Sequence, residues 1–229
     1  GLGYNPFNPA MIGYVLLLVS FPKYMTVWPA AEVVSGHPVG FLDSVGMIFA
    51  GTPESVPFDA LTGATPLDYL KVKLGAGVSV GDASASPVFG ALAGRGWEWG
   101  SIGFLLGGLW LIYRRVITWH IPVTMMATLF AIALVFHLMD PARYASPLFH
   151  LFAGGAMLGA FFIATDPVTA STTPLGRIVY AAGIGVLEYV IRVWGGYPDA
   201  LAFSVLLMNI VVPTIDHYTQ PRVFGHGRA

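Results

Sequence analysis

The segment Thr62-Gly63-Ala64-Thr65-Pro66 carries the hydroxyl groups in this chain that are best placed for covalent chemistry. Thr65 is followed by Pro66 and, three positions on, by Asp68, which is the pattern of a helix start with threonine as the N-cap. The pattern predicts a helix from Pro66 to about Lys73. A phosphate esterified to the Thr65 hydroxyl would lie at the helix N-terminus, where free N–H groups and the helix dipole stabilise an anion.

The same residues also fit a capped surface helix that binds nothing. Gly63 and Ala64 are small, so they would leave the backbone open to a modifying enzyme. Thr62 supplies a second hydroxyl within the same five residues. The residues alone therefore leave open both the choice between a structural cap and a modification site, and the choice between the two hydroxyls.

The composition of the chain indicates an integral membrane protein. Of 229 residues, 55% are hydrophobic and only 10% are charged, whereas a soluble domain carries about 25% charged residues. The formal net charge is -1 with no basic block, which argues against nucleic-acid binding because phosphates require clustered cations. Because the chain has no cysteine, it supplies no thiolate to an iron–sulfur cluster.

Hydrophobic patterning predicts an all-α integral membrane protein with about six transmembrane helices. The predicted spans cover about Pro9–Met25, Trp99–Tyr113, Val116–Met139, Ser146–Ala164, Arg177–Trp194 and Asp199–Ile215. The second and sixth spans are short for a bilayer, which needs about 20 apolar residues. The predicted organisation is a first span in residues 1–25, an extramembrane loop in 26–98, a five-helix bundle in 99–219 and a tail in 220–229.

The loop of residues 26–98 is the long polar stretch of the chain and contains seven of its twelve acidic residues. Within it, Phe41 to Ala50 is predicted to form a short amphipathic helix at the membrane interface. The arginines flanking the spans favour a cytoplasmic C-terminus by the positive-inside rule. That orientation places the loop, with its Thr-Gly-Ala-Thr segment, on the outer (periplasmic) face.

An internal similarity predicts an inverted repeat. Ala10-Met11-Ile12-Gly13 in the first span matches Ala156-Met157-Leu158-Gly159 in the fourth, and each match leads into an apolar run that ends at a proline. The two copies are three spans apart, so they must cross the membrane in opposite directions. Inverted repeats bring interrupted helices together at a central site. Chance similarity between small-residue packing faces is the alternative.

Other polar residues lie within the predicted spans or at their ends. The segment 165–174 is rich in hydroxyls and carboxylates, and it fits either a helix stop and restart capped by Asp166 or Thr173, or a ligand-contact loop. Glu188 and Arg192 are four apart and are predicted to form an ion pair. Asn209 is predicted to form an interhelical hydrogen bond. The three intramembrane histidines share no helical spacing, so no metal site is expected; they are His120, His137 and His150.

Taken together, these motifs resemble the NqrB/RnfD family, the flavin-bearing membrane subunits of the Rnf electron-transport complex and of the sodium-pumping NADH:quinone reductase. The resemblance covers essentially the whole chain. It is carried by GLGYNPFNPAMIGYVLLLVSFP, HIPVTMMATL, GAMLGAFFIATDPVTASTTPLGR and GGYPDALAFSVLLMNIVVPTIDHYTQPRV. The family's longer N-terminal portion is absent, so the chain is expected to be a fragment.

The resemblance implies FMN attached through a phosphoester to Thr65, with Thr62, Gly63, Ala64 and Asp68 around it. It further implies a noncovalent riboflavin, a flavin transferase, partner subunits carrying iron–sulfur clusters and flavins, and a bacterial inner membrane across which Na⁺ or H⁺ moves. The aromatic residues Phe89, Trp97 and Trp99 could stack on the flavin, although an interfacial belt is the favoured interpretation of the tryptophans. A solute channel or transporter is the rival interpretation, since such proteins share interrupted helices and small-residue packing.

Overall fold

The computed structural model describes residues 5–26, 28–29, 40–50, 62–197 and 199–221. Almost all of the described elements are helices, and a single pair of two-residue strands joins β1 (Trp28–Pro29) to β2 (Thr62–Gly63). The helices are α1 (Pro9–Ser20), α2 (Pro22–Thr26), α3 (Phe41–Ala50), α4 (Pro66–Gly75), α5 (Val80–Ser84), α6 (Trp97–Tyr113), α7 (His120–Met139), α8 (Pro147–Phe152), α9 (Ala156–Leu158), α10 (Pro174–Trp194) and α11 (Leu201–Thr219).

Three helices of the described chain are long and apolar enough to cross a membrane, namely α7, α10 and α11, with 20, 21 and 19 residues. They correspond to the third, fifth and sixth predicted spans, and the all-α membrane class is confirmed. Helix α6 has 17 residues, in keeping with its marginal length in the sequence. The predicted helix of residues 41–50 is confirmed with the same bounds as α3, and its large apolar side chains are exposed.

The first predicted span is not one continuous helix. Helix α1 ends at Ser20, Phe21 leaves the helical conformation, and α2 restarts at Pro22. Proline has no N–H and its ring clashes with the preceding turn, so it favours a break just before itself. The prediction of an unbroken segment from Pro9 to Met25 was therefore wrong at Phe21.

The fourth predicted span is also interrupted. Helix α8 ends at Phe152, Ala153 is extended, and Gly154 has a φ of 63° before α9 begins at Ala156. From Gly159 to Ile163 the chain continues as a π-helix. The left-handed conformation of Gly154 is open to glycine without the penalty that a Cβ brings. The prediction of a continuous span from Ser146 to Ala164 was wrong at this glycine.

Replacing Gly154 with alanine is expected to destabilise the fold by about 1–3 kcal/mol. A Cβ at this position would lie 2.7 Å from Leu67 Cδ1 and 3.0 Å from Asp199 Oδ2, in addition to the strained φ. Gly103→Ala in α6 is the control, because a Cβ there meets no atom within 4 Å. Thermal unfolding in detergent measures both variants, and equal midpoints would contradict the expectation.

The core of the bundle forms where α10 packs between α7 and α11. Close approach is possible because Gly185 has no side chain: a Cβ there would lie 2.8 Å from the Met125 backbone oxygen of α7. Small residues at helix contacts have this role in membrane bundles. Met125, Ile184 and Val205 are fully buried in this core.

The start of helix α1 contacts the end of the interrupted fourth segment. The Asn8 side chain, which caps the start of α1, donates to the carbonyl of Ile163 at the end of the π-helix. Met11 and Met157, from the two matching tetrapeptides, share one buried cluster. The inverted repeat, and the opposite directions that it requires, stay predictions.

Candidate functional site

Thr65 occupies the N-cap of helix α4, as the sequence predicted. Its φ and ψ are -65° and 157°, and its Oγ1 accepts a hydrogen bond of 3.2 Å from the Asp68 backbone N–H. Pro66 follows at the first helical position, where its missing N–H leaves no intrahelical bond unmade. The predicted helix start is confirmed, and the helix continues two residues past Lys73, to Gly75.

The two hydroxyl-bearing residues of the Thr-Gly-Ala-Thr segment lie in different backbone environments. Thr62 and Gly63 form strand β2, in which Gly63 is the partner of Trp28 and Thr62 the partner of Pro29. Ala64 is exposed between the strand and the helix. Of the two threonines, only Thr65 has the free amides of a helix N-terminus directly after it.

Helix α4 is held against the interrupted fourth segment by buried leucines. Leu67 and Leu70 share a buried cluster with Phe149 of α8 and Ala153 at the break. Gly94 is in such close contact with Pro66 that it has no room for a Cβ. The start of α4 is thereby fixed by the loop before α6 on one side and by the helix break on the other.

Lys71 links α4 to the end of α10. Its Nζ donates to the backbone carbonyls of Ile191, Arg192 and Tyr197 at 3.4, 3.1 and 3.0 Å. A cation at a helix C-terminus is stabilised by the helix dipole. Burial lowers the pKa of Lys71, and the nearby Asp68 carboxylate partly offsets this effect. This contact places helix α4, whose N-cap is Thr65, at the Trp194 end of α10.

Aromatic rings adjoin the Thr62–Thr65 segment. The indoles of Trp28 and Trp97 meet edge to face with centroids 5.7 Å apart, and Trp28 is paired through its backbone with Gly63. The ring centroid of Tyr69, one turn after Thr65, lies 5.9 Å from that of Phe89. Trp97 is 46% exposed, so a ligand could reach its ring. The sequence pointed to Phe89 and Trp97 but not to Trp28 or Tyr69.

A buried ion cluster occupies the helix break next to α4. Arg192 Nη2 lies 2.6 Å from Glu188 Oε1, with both side chains almost fully buried, so the predicted ion pair is confirmed. The same nitrogen lies 3.3 Å from Asp199 Oδ1. Asp199, at the start of the sixth predicted span, is therefore the third member of this cluster.

The cluster also neutralises both broken helix ends. Arg192 donates to the carbonyls of His150 and Ala153, which are left without partners where α8 stops. Asp199 accepts a 2.9 Å hydrogen bond from the Gly155 N–H at the start of α9. A cation thus meets the partially negative helix end and an anion meets the partially positive one.

The second polar segment, residues 165–174, lies at the other end of α10. Thr173 caps α10 by accepting from the Gly176 N–H at 2.9 Å, and Asp166 accepts from Val168 N–H and Thr169 Oγ1. The predicted helix cap is confirmed at Thr173, whereas Asp166 accepts its hydrogen bonds within a turn that no helix follows. This segment and helix α4 therefore lie near opposite ends of α10, which is about 30 Å long.

Asn209 joins three elements, as predicted for a polar residue in the middle of a span. It accepts from the Asn8 N–H at 3.0 Å, and its amide donates to the Thr169 carbonyl and to the Tyr180 hydroxyl. Buried polar groups of this kind are stable only when they are paired. Within the described residues, no three His, Asp or Glu side chains are arranged to hold a metal ion.

Comparison with known proteins places the chain in a family. Residues 1–225 match the model of the NQR2, RnfD, RnfE family. The chain is 58% identical over 228 residues to a subunit of the ion-translocating oxidoreductase complex of Alcanivorax borkumensis, covering 99% of this chain and 64% of that protein. It is 54% identical over 235 residues to the identically named protein of Yersinia pseudotuberculosis, covering 99% and 67%. The chain thus spans about two thirds of the length of these relatives. The family match and these identities show that the chain belongs to the NQR2, RnfD, RnfE family.

Proposed function

We propose that this chain is part of a membrane subunit of an ion-translocating oxidoreductase and relays electrons through FMN bound covalently to Thr65. The relatives' names supply the class of complex. The observation that carries the flavin assignment is the position of Thr65 at the N-cap of α4. Flavin performs the electron transfer when bound, and the protein determines its position and surroundings.

The residues around Thr65 fit a phosphoester chemically. The first-turn amides of α4, including the Asp68 N–H that now donates to Thr65 Oγ1, point toward the place where phosphate oxygens would be. Such amides bind phosphate well because they lack intrahelical partners and lie at the positive end of the helix dipole. Ala64 is exposed, so a flavin transferase could approach the segment. Just before Ala64, Thr62 and Gly63 pair with Pro29 and Trp28 of strand β1.

The aromatic side chains beside the segment suit the isoalloxazine ring. Trp28 and Trp97 are 39% and 46% exposed, so each retains an indole surface that a planar ring could cover. Stacking on an aromatic side chain contributes about 0.5–1.5 kcal/mol beyond the buried area. We assign these two tryptophans, with Tyr69 as a further neighbour, as the groups that orient the flavin.

The fold supports a flavin on the outer face of the bacterial inner membrane. Helix α4 lies at the Trp194 end of α10, and residues 165–174 lie at the opposite, cytoplasmic end in this proposal. A noncovalent riboflavin would contact that second segment. Partner subunits with iron–sulfur clusters and flavins would supply the further electron carriers, since this chain has no cysteine to bind a cluster. The complex would move Na⁺ or H⁺ across the membrane.

The helix break at Gly154 favours a transporter as the alternative function, since interrupted helices form substrate sites in such proteins. In this chain the break is filled by the Arg192 guanidinium, which contacts both the Glu188 carboxylate and the end of α8. A solute would have to displace a buried ion cluster to pass there. The electron-transfer proposal needs no such rearrangement.

The proposal is tested with the full-length protein co-expressed with a flavin transferase. We expect a fluorescent band on a denaturing gel and a tryptic peptide, Tyr24 to Lys71, whose mass is increased by FMN less one water. In the assembled complex, the flavin should be reduced and reoxidised during turnover while ions move. A colourless band and an unmodified peptide would refute the flavin assignment, even if the complex turned over.

A further inference from the structure

A cavity of about 340 Å³ lies between helix α4, the start of α8 and the end of α10. One face of α4, with Leu67, Leu70 and Leu74, forms one wall. The start of α8 and the end of α10 form the rest, including Phe149 and Trp194. Neither the proposed flavin attachment nor the helix cap at Thr65 uses this space, because Thr65 is not among the residues that line it.

The charged residues that line the cavity are all basic. Lys71, Arg143 and Arg192 line it together with His150, and none of its lining residues is acidic. The Lys71 ammonium and the Arg192 guanidinium are held by backbone carbonyls and carboxylates. Arg143 is exposed and pairs with no carboxylate among the described residues. Its charge is therefore available to an anion at the mouth of the cavity.

Two polar atoms of residues that line the cavity lack hydrogen-bond partners within the described chain. These are Nδ1 of His150, a residue only 4% exposed, and Nε of Arg192, which is equally buried. Buried polar atoms are normally satisfied, and an exception calls for a water or a ligand. The lining of the cavity thus includes an exposed cation, Arg143, and two buried residues with unsatisfied polar atoms.

The surroundings of the cavity are those of a membrane boundary. Trp194 ends the membrane-crossing helix α10 and is 52% exposed, which is typical of tryptophans at the interface between lipid and water. Leucine and phenylalanine side chains line the same space as the cations. Basic pockets between transmembrane helices bind the headgroups of anionic lipids.

We propose that this cavity binds the phosphate headgroup of an anionic phospholipid, with Arg143 at its mouth as the contact that can be removed without disturbing the fold. The apolar walls would accommodate the glycerol and the first carbons of the acyl chains. The proposal does not depend on the flavin, so the Thr65→Ala protein should bind the lipid equally well.

The test uses the delipidated full-length protein, to which phosphatidylglycerol, phosphatidylcholine or inorganic phosphate is added while thermal unfolding and native mass spectra are recorded. We expect phosphatidylglycerol to raise the unfolding midpoint and to remain bound in the spectra. Arg143→Gln should weaken its binding about fivefold, the loss of one interfacial cation, and Arg143→Lys should retain most of it.

Arg114→Gln is the matched control, because it removes one exposed arginine just after α6, away from the cavity. It should leave phosphatidylglycerol binding unchanged. Equal weakening by Arg143→Gln and Arg114→Gln would overturn the proposal, as would equal stabilisation by phosphatidylcholine. A full shift with inorganic phosphate at the same concentration would overturn the assignment to a lipid.

Discussion

Thr65→Ala is expected to abolish covalent flavin attachment, leaving no fluorescent band above background on a denaturing gel. The substitution removes the oxygen that would form the phosphoester, and no other described residue presents a hydroxyl at the N-cap of α4. Loss of the cap that Thr65 gives to the Asp68 N–H should also lower the free energy of unfolding by about 1 kcal/mol. That loss is too small to explain an absence of flavin by unfolding.

Two controls separate the chemistry from the fold. Thr65→Ser keeps both the hydroxyl and the cap, so the variant should retain detectable flavin. Thr62→Ala removes the hydroxyl in strand β2, which has no helix N-terminus directly after it. The flavin fluorescence should therefore persist in this variant. Normal fluorescence in Thr65→Ala, or its loss only in Thr62→Ala, would refute the choice of Thr65.

Arg192→Met is expected to destabilise the protein by about 3–5 kcal/mol, the usual consequence of removing one member of a buried ion pair. The substitution would leave the fully buried Glu188 carboxyl without its partner. It would also leave the carbonyls at the end of α8 without the donor that satisfies them. Methionine fills a similar volume, so the effect would come from charge and hydrogen bonding.

The double variant Glu188→Gln/Arg192→Met provides the test of this mechanism. Because it replaces the buried carboxyl together with its partner, it should recover part of the lost stability. Asp199 can tolerate the change because its side chain is 31% exposed. Thermal unfolding in detergent measures all three proteins. A single variant as stable as the wild type, or a double variant less stable than the single one, would contradict the role of the cluster.

Interactions between near neighbours in the chain were predictable from the sequence. The cap at Thr65 depends on a residue three positions later, and the Glu188–Arg192 pair on a residue four positions later. Both spacings are fixed by helix geometry. The polar mid-span Asn209 could be predicted to need a partner, although the sequence could not say that Asn8, Thr169 and Tyr180 supply it.

The interruption of the fourth segment was harder to foresee. Gly154 and Gly155 are compatible with a membrane helix, where glycine is common, so they do not by themselves predict a break. The break is stable because Arg192 and Asp199 satisfy the exposed helix ends from 39 and 44 residues away in the chain. Such partners can be identified only once the packing of α8 beside α10 is known.

Composition and local spacing were enough to predict the membrane class, the family resemblance and the capped helix that begins after Thr65, because each is encoded within a short stretch or in the overall residue content. The folded structure was needed to learn that Trp28 and Trp97 adjoin the Thr62–Thr65 segment, and that α4 covers a cationic cavity at the end of α10. These relations join residues tens to more than a hundred positions apart. Contacts of that kind arise from the packing of helices, which no local sequence pattern specifies.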